Sequence, residues 1–327
     1  MGTREEVTGM GLETLELVVR QLRWEARDVV SVRLEDADGE TLPGWTPGAH
    51  IDLHLANGLI RQYSLCGDPA DKTGYRIAVH LAPASRGGSR YVHENLRPGQ
   101  PITISLPRNN FEMLDAPNYL FLAGGIGITP LLGMIGEAQR RGADWELHYG
   151  GRTRAALAFL DELRPHGERV HILSEDREGR LDLPGLLGES RSSTLVYSCG
   201  PEGMLTAVEQ FGSAWPEGTV RLERFAPTTR STPDDAAGEQ PVRVVCRRSG
   251  VTATAAPGCS ILDTLEDAGV EVPSSCREGI CGSCETTVLQ GIPDHRDDVL
   301  SSAEQAAGKT MMICVSRALT DELVLDL

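Results

Sequence analysis

Up to about Asp115 the apolar positions recur at every second residue, as in Ile51, Leu53 and Leu55 with Asp52 and His54 between them, and again in Ile102, Ile104 and Leu106. A period of two sends alternate side chains to opposite faces of an extended strand. Turn-forming pairs such as Asn57-Gly58 and Pro98-Gly99 separate these runs at short spacing. The pattern predicts antiparallel β structure closed into a small Greek-key barrel over residues 1–115. From 116 to 225 short apolar runs alternate with helix-like stretches, which predicts βαβ units around a parallel sheet. Strands are expected at 119–123, 145–149, 195–198 and 220–225. Thr129 and Pro130 read as the cap and first residue of a helix that runs through Arg140 and Arg141 and ends at Gly142. A second helix is expected over 202–211. Residues 226–241 hold Pro, Thr, Ser, Asp and Gly with almost nothing to bury, and read as a linker. Residues 242–327 form a third unit with a short capped helix over 260–269.

A chain of 327 residues has room for two or three such units, each able to bury its own core. The 40% hydrophobic and 24% charged composition is that of a soluble protein, and no run approaches the ~18 apolar residues of a membrane span. The formal charge of −16 repels phosphate backbones and anionic lipid, so neither nucleic acid nor a membrane is an expected partner. The first ten residues lack an apolar stretch and a small-residue cleavage site, so the expected location is the cytoplasm. There thiols stay reduced, and the eight cysteines are read first as ligands or core residues.

Four of them carry the strongest chemical signal: Cys276-x4-Cys281-x2-Cys284, with Cys314 after 29 intervening residues. This is the plant-type ferredoxin spacing, in which four thiolates hold a 2Fe-2S cluster. Gly279 and Gly282 allow backbone N–H groups to approach sulfur, and Ser275 and Ser283 can add hydroxyl donors. Zinc and free thiols are the alternatives, although structural zinc sites more often show two knuckles of paired ligands. Cys246 and Cys259 lie among apolar neighbours and read as packing residues.

Two features of the first unit suit a phosphate-bearing ligand with a flat ring. Arg61 and Tyr63 fall on one face of a strand, with Cys66 just beyond. The turn Arg86-Gly87-Gly88-Ser89 precedes a helix-like stretch over 90–95, a natural anion seat. A surface arginine beside a half-buried tyrosine is the plainer alternative for the first feature. In the second unit Gly124-Gly125-Ile126-Gly127 follows a strand and leads into a helix, the setting in which glycines let amides approach a pyrophosphate, although it is not a G-x-G-x-x-G fingerprint.

Taken in order, Arg61-Gln62-Tyr63-Ser64-Leu65, Arg86-Gly87-Gly88-Ser89, Gly124 to Pro130, Cys199-Gly200-Pro201 and the cysteine set resemble the ferredoxin reductase superfamily, and within it the phthalate dioxygenase reductase family. The resemblance spans nearly the whole chain. It implies FMN in a six-stranded barrel, a pyridine nucleotide domain over 116–225 and a β-grasp plant-type ferredoxin domain over 242–327. By position it implies that Arg61 and Gln62 contact FMN, Tyr63 lies against its ring and Ser64 sits near its reactive nitrogen. Ala78, Val79 and His80 would supply edge contacts, and Gly87, Gly88 and Ser89 would hold the phosphate. Gln62 stands where the family has threonine, and His80 where it has lysine. By the same resemblance, the Gly-Gly-Ser turn and the C-terminal position of the ferredoxin unit imply FMN rather than FAD.

For the nucleotide, the resemblance implies roles for Gly124, Gly125, Gly127, Gly200 and Pro201, with Thr129 also touching the flavin. Cys199 would lie near the reacting nicotinamide carbon, Phe225 on the flavin where nicotinamide enters, and Glu223 beside it. Asp176 is a candidate ribose partner favouring NADH, whereas Arg152 and Arg154 suit an extra phosphate. Apart from His80, the eight histidines read as surface or packing residues, since none falls in a metal-ligand pattern.

The implied activity is a relay in which NADH reduces FMN, and the flavin feeds single electrons to the cluster and on to a terminal oxygenase. A Rieske non-haem iron oxygenase of aromatic catabolism or O-demethylation is expected, with a haem-thiolate mono-oxygenase as alternative. Residues 238–327 carry 14 acidic and 7 basic side chains, a charge that could steer a basic partner surface. A redox sensor that does not turn over, and a reductase running electrons toward NAD, are the other readings.

Overall fold

In the computed structural model the described residues are 13–83, 85–228 and 239–327. The first ten residues and most of the expected linker, 229–238, lie outside them. Thr14–Phe225 forms one compact unit, and Ala226–Leu327 belongs to a second.

The first unit opens with six antiparallel strands: β1 (Thr14–Ala26), β2 (Val29–Glu35), β3 (His50–His54), β4 (Ile60–Ser64), β5 (Gly74–His80) and β6 (Pro101–Ser105), with helix α1 (Gly88–Asn95) between the last two. Their order is β4-β3-β6-β1-β2-β5, and a bridge between Leu65 and Ile77 joins the outer strands, closing the sheet on itself. The alternation in the sequence explains the interior: Leu17, Val19, Val32, Leu34, Ile51, Leu53, Ile77 and Ile104 are buried together. Each such side chain contributes about 1.5–3 kcal/mol when taken from water. Asp52, between two core residues, faces the other way and is still fully buried, because Arg108 covers it with a 2.6 Å ion pair.

The rest of this unit is a parallel sheet built from β7 (Asn118–Gly124), β8 (Asp144–Gly151), β9 (Val170–Ser174), β10 (Thr194–Cys199) and β11 (Val220–Glu223). The intervening helices are α2 (Ile128–Arg141), α3 (Leu160–Leu163), α4 (Leu183–Leu187) and α5 (Glu202–Gly212). The strand order is β11-β10-β7-β8-β9, so β7 is central and is apolar at nearly every position because both of its faces are covered. Tyr119 and Tyr197 lie in the core, and their hydroxyls bond backbone groups of Glu112, Leu114 and Ala116, tying down the segment that enters the sheet.

Three expectations about the first unit need correction. The helix after β7 begins at Ile128, so Thr129 is its second residue and Pro130 its third. A turn of 3-10 helix over Gly125–Gly127 leads in, and the Thr129 hydroxyl donates back to the Ile126 carbonyl instead of capping. Pro130 is tolerated because first-turn N–H groups have no partner inside the helix. The last strand stops at Glu223, leaving Phe225 beyond it and 41% exposed. Strand β9, which alternates weakly, was not among those expected.

The second unit comprises β12 (Val242–Cys246), β13 (Thr252–Ala255), α6 (Ile261–Asp267), β14 (Glu285–Gln290), β15 (Pro293–Asp294), α7 (Ser302–Ala307), β16 (Thr310–Met312), β17 (Arg317–Ala318) and β18 (Glu322–Leu325). Its main sheet runs β13-β12-β18-β14-β16, with β18 parallel to β12. Ser260 caps α6 by accepting from the Asp263 amide, and Ser301 with Glu304 forms a reciprocal capping box on α7. Cys246 is buried in this core as expected, but Cys259 is exposed, because it sits in the turn before α6 rather than on a strand.

The junction of β7 with β10 leaves no room for a side chain at Gly127. A Cβ on Gly127 would lie 2.2 Å from the Cys199 carbonyl oxygen. Gly127→Ala should therefore lower unfolding free energy by about 1–3 kcal/mol, the usual cost of overpacking, read as a fall in denaturant midpoint at constant slope.

Candidate functional site

Strand β4 carries Arg61 to the turn before α1. The guanidinium donates to the Ile60 carbonyl at 2.7 Å and the Arg86 carbonyl at 3.3 Å, bringing strand and turn together. Gly88 accommodates the arginine stem: a Cβ there would sit 2.5 Å from Arg61 Cγ. Gly87 adopts φ 95°, a left-handed conformation that opens α1 without a side-chain cap. Ser85, which sequence reasoning passed over, organises this turn. Its hydroxyl oxygen accepts from the Gly87 amide at 3.2 Å and from the Ser89 hydroxyl at 2.9 Å. The result is a guanidinium beside a helix N-terminus, an arrangement that attracts an anion.

Further along β4, Tyr63 is half-buried, and burial pushes its phenol up to about 12 against the pull of Arg61, so the ring is neutral. Ser64 is buried, and its hydroxyl donates to the Glu223 carboxylate from the end of β11. Glu223 in turn pairs across the sheet with Cys199, the last residue of β10. Burial lifts Glu223 to about 8, with the Ser64 hydrogen bond pulling the other way, and its Oε2 has no partner among the described residues. Burial first, and then the charge of Glu223, raise the Cys199 thiol well above its ordinary value. Ser64, Cys199 and Glu223 thus meet where barrel and sheet join, and a buried carboxylate oxygen is left unbonded there.

The glycines expected at a phosphate turn also meet a packing constraint. Gly124 and Gly200 face each other so closely that a Cβ on Gly200 would lie 3.0 Å from Gly124 Cα, and Pro201 closes over Gly124. Gly125 borders open space at φ +54°. Thr129 is buried with its hydroxyl spent on Ile126.

The remaining candidates are dispersed. Ala78 and Val79 are buried on β5, where the Val79 carbonyl is bonded to His93, and His80 is exposed at the strand end. Gln62 is half-buried and pairs across the sheet with Asp52. Asp176 is exposed beyond β9, and its amide donates to the Arg152 carbonyl at 3.2 Å, so the acidic and basic candidates adjoin at the ends of β8 and β9. Arg154 begins a short 3-10 turn.

In the second unit the four cysteines converge. Hydrogen bonds from Cys281 and Cys314 pull the Cys276 thiol down, aided by the amides of Ile280 and Glu278, and Cys284 is lowered by Cys314. The Glu278 amide donates to Cys276 Sγ at 3.3 Å, and Ser283 Oγ lies 3.0 Å from Cys281 Sγ. The loop makes these approaches by entering the left-handed region at Arg277, Gly279 and Gly282. Arg277 anchors it to α6 through Asp263 and Glu266. The Ser275 hydroxyl is buried and has no partner among the described residues. Four sulfurs drawn together, with amides aimed at them, fit a thiolate-bound iron cluster.

Residues 244–319 match the model of the 2Fe-2S iron-sulfur cluster binding domain. The chain is 44% identical to phenoxybenzoate dioxygenase subunit beta of Ectopseudomonas oleovorans over 96% of its own length and 97% of that protein. Among solved structures, phthalate dioxygenase reductase aligns at 37% identity with a TM-score of 0.70, covering 96% of this chain and 98% of that one. An intact type IV self-sufficient cytochrome P450 mono-oxygenase aligns at 44% identity with a TM-score of 0.90; this chain covers 96% of itself but only 41% of that longer chain.

With its pKa raised from 4.5 to about 8, Glu223 should hold its proton in the native state through a range where the unfolded chain has released it. Rising pH across that window therefore costs stability, and the full cost is present above about 8. Infrared difference spectroscopy should show a carboxylic acid C=O band that titrates near pH 8 and is absent from Glu223→Gln.

Proposed function

Because this chain belongs to the family of oxygenase reductases that includes phthalate dioxygenase reductase, we propose that it draws electrons from NADH through FMN and a 2Fe-2S cluster to a separate terminal oxygenase. The observation that carries the reading is the pairing of an anion seat at Arg61 with the Ser64–Cys199–Glu223 cluster in one unit, alongside four convergent cysteines in the other. Both sites fit their groups: Gly88 leaves room for the arginine beneath a phosphate, and the unbonded Glu223 Oε2 awaits a polar ligand.

When bound, flavin supplies the step that accepts two electrons together and releases them one at a time, and the cluster carries single electrons onward. The chain's residues bind and orient. Arg61 with Gly87, Gly88 and Ser89 holds the phosphate, and Tyr63 flanks the ring. Ser64 is fixed by Glu223 at the point where nicotinamide approaches, and Cys199 packs there as a neutral thiol. Phe225, exposed past β11, shields that face until a nucleotide displaces it. Gly124, Gly125, Gly127, Gly200 and Pro201 shape the cleft for the dinucleotide, and Asp176 meets its ribose. Cys276, Cys281, Cys284 and Cys314 hold the cluster. The division of labour runs from a flavin barrel (1–115) to a nucleotide domain (116–225), a linker (226–241) and a ferredoxin domain (242–327).

FMN is favoured over FAD by the Gly-Gly-Ser turn and by likeness to phthalate dioxygenase reductase along its whole length. A Rieske-type partner acting on an aromatic compound is the leading choice, given the dioxygenase subunit among the relatives. The cytochrome P450 relative supports a second reading, in which the acceptor is a haem-thiolate mono-oxygenase. Among the described residues no helix is long and apolar enough to cross a membrane, and we place the activity in the cytoplasm.

Anaerobic addition of NADH should bleach the flavin absorbance and then reduce cytochrome c; failure of bleaching in flavin-loaded protein would overturn the reading. Cys281→Ala should lose the cluster absorbance and cytochrome reduction while NADH still bleaches the flavin, and full iron content in that variant would refute the ligand set. Arg61→Ala should weaken flavin retention roughly 10- to 100-fold, the worth of one charge-assisted hydrogen bond, measured by equilibrium dialysis with the cluster spectrum intact.

A further inference from the structure

Away from the reductase machinery, β8 and the edge strand β9 bring three metal-binding side chains together. Glu146 and His148 are two residues apart on β8 and so share one face of the sheet, and His171 on β9 is the direct neighbour of His148 in the parallel register. Ligand atoms of the three residues all lie within 4.8 Å of one another. We propose that Glu146, His148 and His171 form a binding site for a divalent zinc-class cation on the nucleotide-binding sheet.

The chemistry of the donors sets the class. Two imidazoles and one carboxylate suit a borderline cation such as Zn²⁺, and three protein ligands leave a fourth position for water. The carboxylate is divided between two duties: Arg191 holds Oε1, while Oε2 turns toward His148 Nε2 at 3.5 Å. A basic residue that fixes one oxygen orients the other for ligation, as outer hydrogen bonds do in metal sites. His148 is 14% exposed, and its buried Nε2 has no hydrogen-bond partner among the described residues. The His148 and His171 rings are stacked, with centroids 4.4 Å apart and planes 17° from parallel. Ligation requires the His171 ring to turn, which its exposed position on the edge strand permits. The formal charge of −16 favours cation capture.

The test is calorimetric titration of the full-length protein, loaded with flavin and cluster, with Zn²⁺ in a buffer that does not chelate it. One Zn²⁺ should bind per chain with the flavin and cluster spectra unchanged, and affinity should fall at least about tenfold in His171→Ala and in Glu146→Gln. His171 is exposed and Gln preserves the shape of Glu146, so neither change threatens the fold. Cys259→Ser, which removes the exposed thiol of the second unit, should leave the binding intact. The proposal is overturned if wild-type protein takes up no Zn²⁺, if His171→Ala binds as tightly, or if the signal disappears with Cys259→Ser or is accompanied by cluster bleaching.

Discussion

The site rests on one backbone contact. At the carboxyl ends of β7 and β10, Gly124 meets Gly200 closely, and a Cβ on Gly127 would lie 2.2 Å from the Cys199 carbonyl oxygen. That approach fixes where β10 ends and therefore where Cys199 points. Through the parallel register it also fixes Glu223 on β11, and Glu223 reaches Ser64 of the barrel. Glycine turns at strand ends are usually credited with making room for a ligand. Here most of the room is taken by a second strand end, and only Gly125 borders open space.

Electrostatics divides the same unit into two regimes. At the turn before α1, the Arg61 guanidinium lies beside a helix terminus lacking a side-chain cap, so positive potential collects at a half-exposed place. At the junction of barrel and sheet, burial holds Glu223 protonated through neutral pH and keeps Cys199 and Tyr63 un-ionised. A ligand charged at one end and planar at the other matches that division. The neutrality of the inner end also explains why a carboxyl group can be buried there without a cation beside it.

In the second unit the cysteine loop pays in backbone strain for what it does with sulfur. Arg277 takes a left-handed conformation uncommon outside glycine, and its side chain is held by Asp263 and Glu266 of α6, so helix and loop stabilise one another. Gly279 packs against Val315 and Asp297, where a Cβ would collide at 2.6 Å with the Val315 side chain. That contact keeps the segment after Cys314 against the loop that carries the other three cysteines.

Local pattern was enough to reveal the barrel strands, the βαβ grammar, the capped helix after Ser260 and the four cysteines, because each depends on side-chain period, turn chemistry or ligand spacing within one stretch of chain. The arrival of Ser64 at Glu223, the packing role of Gly124 and Gly127, the exposure of Cys259 and the displaced start of α2 depend on which segments meet. Ser85 was missed because its partners are set by the curl of one turn. His148 and His171 were missed because their adjacency is created by a parallel crossover, which joins residues distant in the chain without leaving a spacing to read. The sequence by itself therefore determined the kinds of groups present and the order of the units that carry them. Only the tertiary structure decided which of those groups touch, since contact between strands is settled by register and burial rather than by neighbours along the chain.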